Sequence, residues 1–149
     1  MKERFETFTV LITSVSRSIH RIKAEEMAEY DLKSSHVSCL YYLYKEGAIT
    51  ATELCDICEE DKANISRCVK YLEANGYLEA RATKGKRYQA PLVLTEKGRE
   101  VAGGIVGKID GILNVSAAGL SEDELKIMYK ALATISKNLQ SKCEQYENK

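Results

Sequence analysis

The chain has 149 residues, 44% of them hydrophobic and 30% charged, with 22 basic residues against 22 acidic ones. That composition suits a folded domain with a real core and excludes a low-complexity or disordered chain. No apolar run approaches the roughly 18 residues that cross a bilayer, so neither a membrane span nor a membrane partner is expected.

The first 23 residues space their apolar positions between polar ones. Phe5, Phe8, Ile12, Val15, Ile19 and Ile22 recur three or four apart. This is the stripe of a long amphipathic helix ending near Tyr30, not the unbroken apolar block of a secretory signal. A cytoplasmic protein is expected. Five cysteines, an odd number, fit reduced thiols better than a disulfide framework.

A second helix is predicted from Ser34, as its cap, through Val37, Leu40, Tyr41 and Leu43 to Gly47. A third opens at Thr50, where Thr50 and Glu53 have the spacing of a capping box. It is short, buries Leu54 and Ile57, and ends in the acidic run Glu59-Glu60-Asp61.

Asp61 is placed to cap a fourth helix. Ile65, Val69 and Leu72 form its buried face, with Cys68 beside them. The opposite face carries Ala63, Arg67 and Lys70, flanked by Asn64, Ser66 and Tyr71. Asn75-Gly76 stops it, because both residues tolerate the left-handed conformation.

Two extended runs follow, 77–83 and 88–94, joined by Lys84-Gly85-Lys86-Arg87, as a hairpin with a basic tip. Pro91 cannot donate to a ladder, so it predicts that the second run is an edge strand or carries a bulge.

A fifth helix starts at Thr95, with Val101, Ile105, Ile109 and Ile112 on one side. Gly103, Gly107 and Gly111 fall four apart and predict a groove closely packed by another helix, or else a mobile, kinked helix. Ser121 and Glu124 form a further capping box. They open a last helix striped with Leu125, Met128, Leu132, Ile135 and Leu139, and the polar tail after Lys142 is expected to fray.

The order is a mainly α chain with a small β-hairpin wing: a winged helix-turn-helix between terminal helices. Residues 32–98 form the lobe, 95–113 a linking helix, and 1–31 with 112–149 a dimerisation region. One lobe is too small to cover three long striped helices, so a homodimer is the economical arrangement.

Zero net charge argues against nucleic-acid binding, but the distribution reverses that argument. Residues 62–99 carry nine cations against three anions, and the rest of the chain carries the matching acidic excess. A basic surface around a helix-turn-helix and a wing is the arrangement that takes double-stranded DNA. Asn64 suits adenine, Arg67 guanine, and Ser66 a base or a phosphate. Lys62 and Lys70 suit phosphates, as do Lys84, Lys86 and Arg87 at the wing tip. The plain alternative is a solvated polar face.

Cys55 and Cys58 stand at i, i+3, but a zinc site wants four ligands and no second pair stands nearby. His20 and His36 are the only histidines, and neither is in a run with these cysteines. Packed thiols are the simpler reading, and no metal or other cofactor is expected. Cys68, on the fourth helix, is a candidate redox position, because its oxidation would disturb that helix directly. No glycine-rich phosphate loop follows a strand, and neither HExxH nor GxSxG occurs, so nothing calls for an enzyme.

The chain resembles the MarR (multiple antibiotic resistance regulator) family of transcriptional regulators along nearly its whole length. Leu32-Lys33-Ser34-Ser35-His36 with Leu40 and Leu43 resembles the family's entry to its second helix, where glutamine is usual at the position of His36. The segment from Gly47 to Leu54 is similar to the opening of its third helix. Asp61 to Leu78 looks like its recognition helix and exit, and Leu94-Thr95-Glu96-Lys97-Gly98-Arg99 like its junction from wing to fifth helix. The resemblance implies a winged-helix homodimer on a pseudo-palindromic operator. It usually implies a repressor, released by a small phenolic or aromatic-acid effector or by oxidation.

The family's ligand pocket lies between lobe and dimer helices, which makes Arg17, His20, His36, Tyr41 and Tyr42 candidates for an effector. The family's peroxide sensors usually carry their cysteine in the first helix, and here no cysteine precedes Cys39. The family's wing commonly holds Asp-x-Arg. Here Lys84-Gly85-Lys86-Arg87-Tyr88 has no aspartate, and Arg87 stands nearest to the arginine's role. A thiol- or metal-responsive regulator of the same fold, and a winged helix serving only protein interaction, are the alternatives.

Overall fold

A computed structural model describes residues 2–81, 85 and 89–148, with residues 2–6 described as backbone only. The order is α1 (Lys2–Met27), a short 3₁₀ turn (Ala28–Tyr30), α2 (Ser34–Glu46), β1 (Ala48–Ile49), α3 (Ala51–Cys58), α4 (Lys62–Ala74), β2 (Leu78–Ala80), β3 (Leu92–Leu94), α5 (Glu96–Ala117) and α6 (Glu122–Glu147). The chain divides into two compact units, Met1–Gly111 and Ile112–Lys149, with the boundary inside α5. Among the described residues no single helix is long and apolar enough to cross a membrane.

The first unit is built on α2, α3, α4 and a three-stranded antiparallel sheet of order β1-β3-β2. Its core gathers Leu40, Leu43, Leu54, Ile65, Leu72, Leu78 and Ile105, all fully buried. Burying one such leucine or isoleucine is worth about 1.5–3 kcal/mol, so these side chains fix how the helices meet.

The helix starts follow the residues that were read as caps, with one shift. At α3 the Thr50 N–H donates to Glu53 Oε2 at 2.7 Å, and the Glu53 N–H returns to Thr50 Oγ1 at 3.2 Å. At α4 the Asn64 N–H donates to Asp61 Oδ1 at 2.7 Å. Ser121 and Glu124 repeat the reciprocal pair at α6. At α2, however, the cap position is Lys33 and Ser34 is the first helical residue. There the His36 ring, not a serine hydroxyl, takes the orphan N–H of Lys33, at 3.2 Å.

Four further expectations are corrected. Ile57 is 38% exposed while Leu54 is fully buried, because the inward line of α3 runs from Leu54 one turn on to Cys58. The second hairpin strand is central, not an edge: β3 pairs with β2 on one side and with β1 on the other. Pro91 stands just before it and contributes only its carbonyl, which accepts from the Arg81 N–H at 2.8 Å. The α6 helix continues through the polar tail to Glu147.

The glycines of α5 divide. Gly103 lies against the Tyr44 ring and Gly104 against the Tyr30 hydroxyl, while among the described residues nothing comes within 4 Å of a Cβ added at Gly107 or Gly111. The closest approach is at Gly98, where an added Cβ would collide with the backbone carbonyl of Tyr77.

The apolar stripe of α1 stays uncovered, with Ile12, Val15, Ile19 and Ile22 all exposed. In the second unit no residue of α6 is buried, and Leu132 and Leu139 are exposed.

Candidate DNA interface

The turn between α3 and α4 sets the direction of α4. Glu59 takes a left-handed conformation, φ 52°, which ends α3 and swings the chain to the Asp61 cap. Buried Ile65, Cys68 and Leu72 hold one face of α4 to the core. Lys62, Ser66, Arg67 and Lys70 are left exposed, and Asn64 is half-exposed. The Asn64 amide already donates to Glu60 Oε2 at 2.6 Å, so that side chain is held at the helix start and must release Glu60 to read a base.

These residues line two different hollows. Lys62, Ser66 and Lys70 border a cavity of about 570 Å³ between α4, α3 and the base of the sheet. Asn64 and Arg67 border a larger cavity, about 980 Å³, walled by α1 and by the start of α2. The wing-tip residues Lys84, Lys86 and Arg87 lie outside the described residues. The base of the wing is set by the pairs Leu78↔Leu94, Glu79↔Val93 and Ala80↔Leu92.

The junction behind α4 is closely tied. The Thr95 hydroxyl donates to the Gly76 carbonyl at 2.6 Å, and the Thr95 N–H donates to the Tyr77 carbonyl at 3.1 Å. Lys97 Nζ reaches the Asn75 carbonyl at 2.8 Å, satisfying a helix-end acceptor. These bonds tie the end of α4 to the start of α5.

Residues 30–87 match the MarR family model. The chain is 22% identical over 129 residues to the uncharacterized HTH-type transcriptional regulator YybA of Bacillus subtilis (strain 168), covering 87% of this chain and 86% of that protein. Among solved structures it is similar to a MarR family transcriptional regulator from Listeria monocytogenes complexed with 26mer DNA. That match has a TM-score of 0.77 and 25% identity, over 88% of this chain and 87% of the other. It also shares the fold of NMB1585, a MarR family regulator from Neisseria meningitidis, with a TM-score of 0.78 and 19% identity over 93% and 96% of the two chains.

Residues 30–87 resemble the MarR family, and the chain shares the fold of that family's solved members.

One feature of the lobe is the larger cavity. It brings together two of the residues chosen as effector candidates, His20 and His36, and not Arg17, Tyr41 or Tyr42. Tyr41 and Tyr42 instead pack edge to face on each other, 5.2 Å apart, and burial raises the Tyr42 hydroxyl pKa.

Sequence reasoning missed the part played by Tyr71. Its ring stacks on His36 at 4.3 Å and 9°, joining α4 to α2 at the cavity wall. The signal was present in the sequence: Tyr71 follows Arg67 by one helical turn, on the same side. His36 is 6% exposed, and burial, helped by the Lys33 charge, lowers its pKa. A neutral ring with Nδ1 as acceptor fits the Lys33 N–H bond.

Cys68 is 2% exposed, so it is packed inside the lobe and not presented to solvent on α4. Among the described residues no group of three or more His, Cys, Asp or Glu side chains is placed to hold a metal ion.

Proposed function

We propose that the protein binds a pseudo-palindromic operator as a homodimer and represses transcription until a small molecule releases it. The observation that carries this reading is the exposed row Lys62, Ser66, Arg67 and Lys70 on a capped helix of a winged-helix lobe. The DNA-bound relative from Listeria monocytogenes supports the same use of the lobe. Arg67 and Asn64 would read base edges, and Lys62, Ser66 and Lys70 would hold phosphates. The wing cations Lys84, Lys86 and Arg87 would reach the backbone beside them.

The exposed apolar stripe of α1 and the apolar positions of α6 support dimerisation through residues 1–31 and 112–149, with 95–113 as the connecting helix. Two recognition helices must then sit about 34–36 Å apart, one turn of DNA. The effector would be a small aromatic acid or phenol in the larger cavity, where His20, Lys23, Lys33 and Arg67 supply positive or donating groups and the His36–Tyr71 stack supplies a flat wall. Because the wall includes α4, a bound ligand would bias the helix that carries the DNA contacts.

Fluorescence anisotropy on the promoter upstream of the protein's own gene tests the reading. Affinity should fall steeply with salt, and Arg67→Ala should remove specific binding while leaving the thermal midpoint unchanged. Equal affinity of wild type and Arg67→Ala for that promoter would overturn it.

A further inference from the structure

A third hollow, about 550 Å³, opens on the outer side of the sheet and shares no wall residue with the two cavities beside α4. The strand register builds its floor. Val93 pairs with Ala48 on one side and with Glu79 on the other. Ala48 and Glu79 are exposed while Ile49, Leu78, Leu92 and Leu94 are buried, so this row faces outward. Arg81 follows Glu79 by two residues and falls on the same face by strand alternation. Its N–H donates to the Pro91 carbonyl at 2.8 Å, which fixes Arg81 at the base of the wing.

The other walls come from helices. Arg99 is the fourth residue of α5, and its N–H already donates to the Thr95 carbonyl at 2.8 Å. Its side chain, not an orphan helix-end N–H, is therefore what borders the hollow. The Tyr44 ring of α2 lies 3.6 Å from where a Cβ of Gly103 would stand, so α5 backs that wall. At Gly47, φ 85°, an added Cβ would meet nothing within 4 Å among the described residues. Leu43, Val93 and Leu94 complete the lining with apolar surface.

The chemistry of this hollow is one-sided. Two guanidiniums and a phenol border it, and no carboxylate does. Both arginines are exposed, and among the described residues neither guanidinium makes an ion pair or a hydrogen bond. Glu79 shares the outer face with Arg81 but is not on the wall. A guanidinium presents a planar fork of donors that matches a carboxylate or a phosphate bidentately. Two such forks from different elements suit a ligand with two negative charges, and the apolar wall suits a short carbon body.

We propose that this hollow is a binding site for a small dianion, a phosphate monoester or a dicarboxylate. Arg81 and Arg99 take its two charges and the Tyr44 hydroxyl donates to one of its oxygens. The bound ligand bridges the base of the wing to the start of α5. Because it binds only the folded lobe, it also raises the thermal midpoint.

The test is isothermal titration calorimetry of the full chain at constant ionic strength and about pH 8, where a phosphate monoester carries two charges. The probes are glycerol 3-phosphate, inorganic phosphate and succinate, with acetate as the single-charge control. Saturable binding of at least one dianion, about tenfold or more tighter than acetate, is expected. Arg81→Gln and Arg99→Gln should each weaken it about tenfold or more, the scale of a lost charged hydrogen bond. Tyr44→Phe should weaken it less, and Arg67→Gln, on the wall of the larger cavity, should leave it unchanged. Both arginines are exposed, so the variants should melt with wild type in the absence of ligand. Tighter binding of the phosphates than of succinate assigns a phosphate monoester, and the reverse order a dicarboxylate. No dianion binding beyond that of acetate overturns the proposal, as does binding that survives in the Arg81→Gln, Arg99→Gln double variant or is lost in Arg67→Gln. Reduced promoter affinity in both arginine variants, with no dianion bound by wild type, overturns it too and assigns the two guanidiniums to DNA phosphates.

Discussion

Gly98→Ala separates packing from helix propensity, because the two effects have opposite signs. Replacing an interior helical glycine by alanine should stabilise by about 1 kcal/mol if nothing opposes the new methyl. At Gly98 the methyl would overlap the Tyr77 carbonyl, which is backbone and cannot rotate away. That carbonyl also accepts the Thr95 N–H, so relieving the overlap stretches a 3.1 Å hydrogen bond. Overpacking of this kind costs about 1–3 kcal/mol and a weakened hydrogen bond about 1 kcal/mol more. Set against the propensity gain, the net loss is about 1–3 kcal/mol. For a chain of this length each kcal/mol moves the midpoint by about 2–4 °C, so a fall of about 2–12 °C is expected. Thermal and urea unfolding followed by circular dichroism would measure it, with Gly107→Ala as the internal comparison. Gly107 has open space around it and should gain up to about 1 kcal/mol. A Gly98→Ala protein as stable as wild type, or more so, would refute the close approach of α5 to the end of α4.

Three other outcomes follow from the same geometry. Asp61→Ala removes the cap of α4 and should cost about 1 kcal/mol, seen in urea unfolding, with weaker promoter binding in the anisotropy assay. Leu54→Ala should cost about 2–5 kcal/mol and Ile57→Ala well under half of that, because only the first is buried; equal losses would mean that Ile57 packs after all. The lowered His36 pKa means that the unfolded chain binds the extra proton more readily than the fold. Stability from this group is complete above the ordinary histidine value of about 6.5 and is lost as pH falls through the lower folded value. His36→Gln should flatten that acid slope between pH 7.5 and 5, and an unchanged slope would assign it to other groups.

The helix starts were legible because a cap is a local event. Thr50 and Glu53, or Ser121 and Glu124, satisfy each other's N–H groups whatever the rest of the chain does. The stop at Asn75-Gly76 was legible for the same reason, since Gly76 takes φ 75°. Features that depend on a distant partner were not. The strand Ala48–Ile49 has only two residues and exists because β3 offers it hydrogen bonds, so no alternation announces it. Pro91 carried correct chemistry to a wrong place: it cannot donate, but the strand begins one residue later. Ile57 and Cys58 compete for one inward position, and hydrophobicity alone chose the wrong one. Nothing local sets Gly98 apart from the other glycines of α5, because its reason lies 21 positions back at Tyr77.

The position of the larger cavity constrains how a ligand there would act. Asn64 and Arg67 are on its wall and also on the face proposed to read DNA. A ligand that engages Arg67 withdraws a guanidinium from the DNA, and one that displaces Tyr71 from His36 frees α4 from α2 at the same time. Either way the ligand and the operator bind the same element in different arrangements. Linkage then requires that DNA weaken ligand binding by the same factor by which ligand weakens DNA binding. Tyr71→Ala would separate the two routes. If the stack carries the coupling, ligand and operator should become independent in this variant; if Arg67 carries it, the mutual factor should persist while the ligand affinity alone declines.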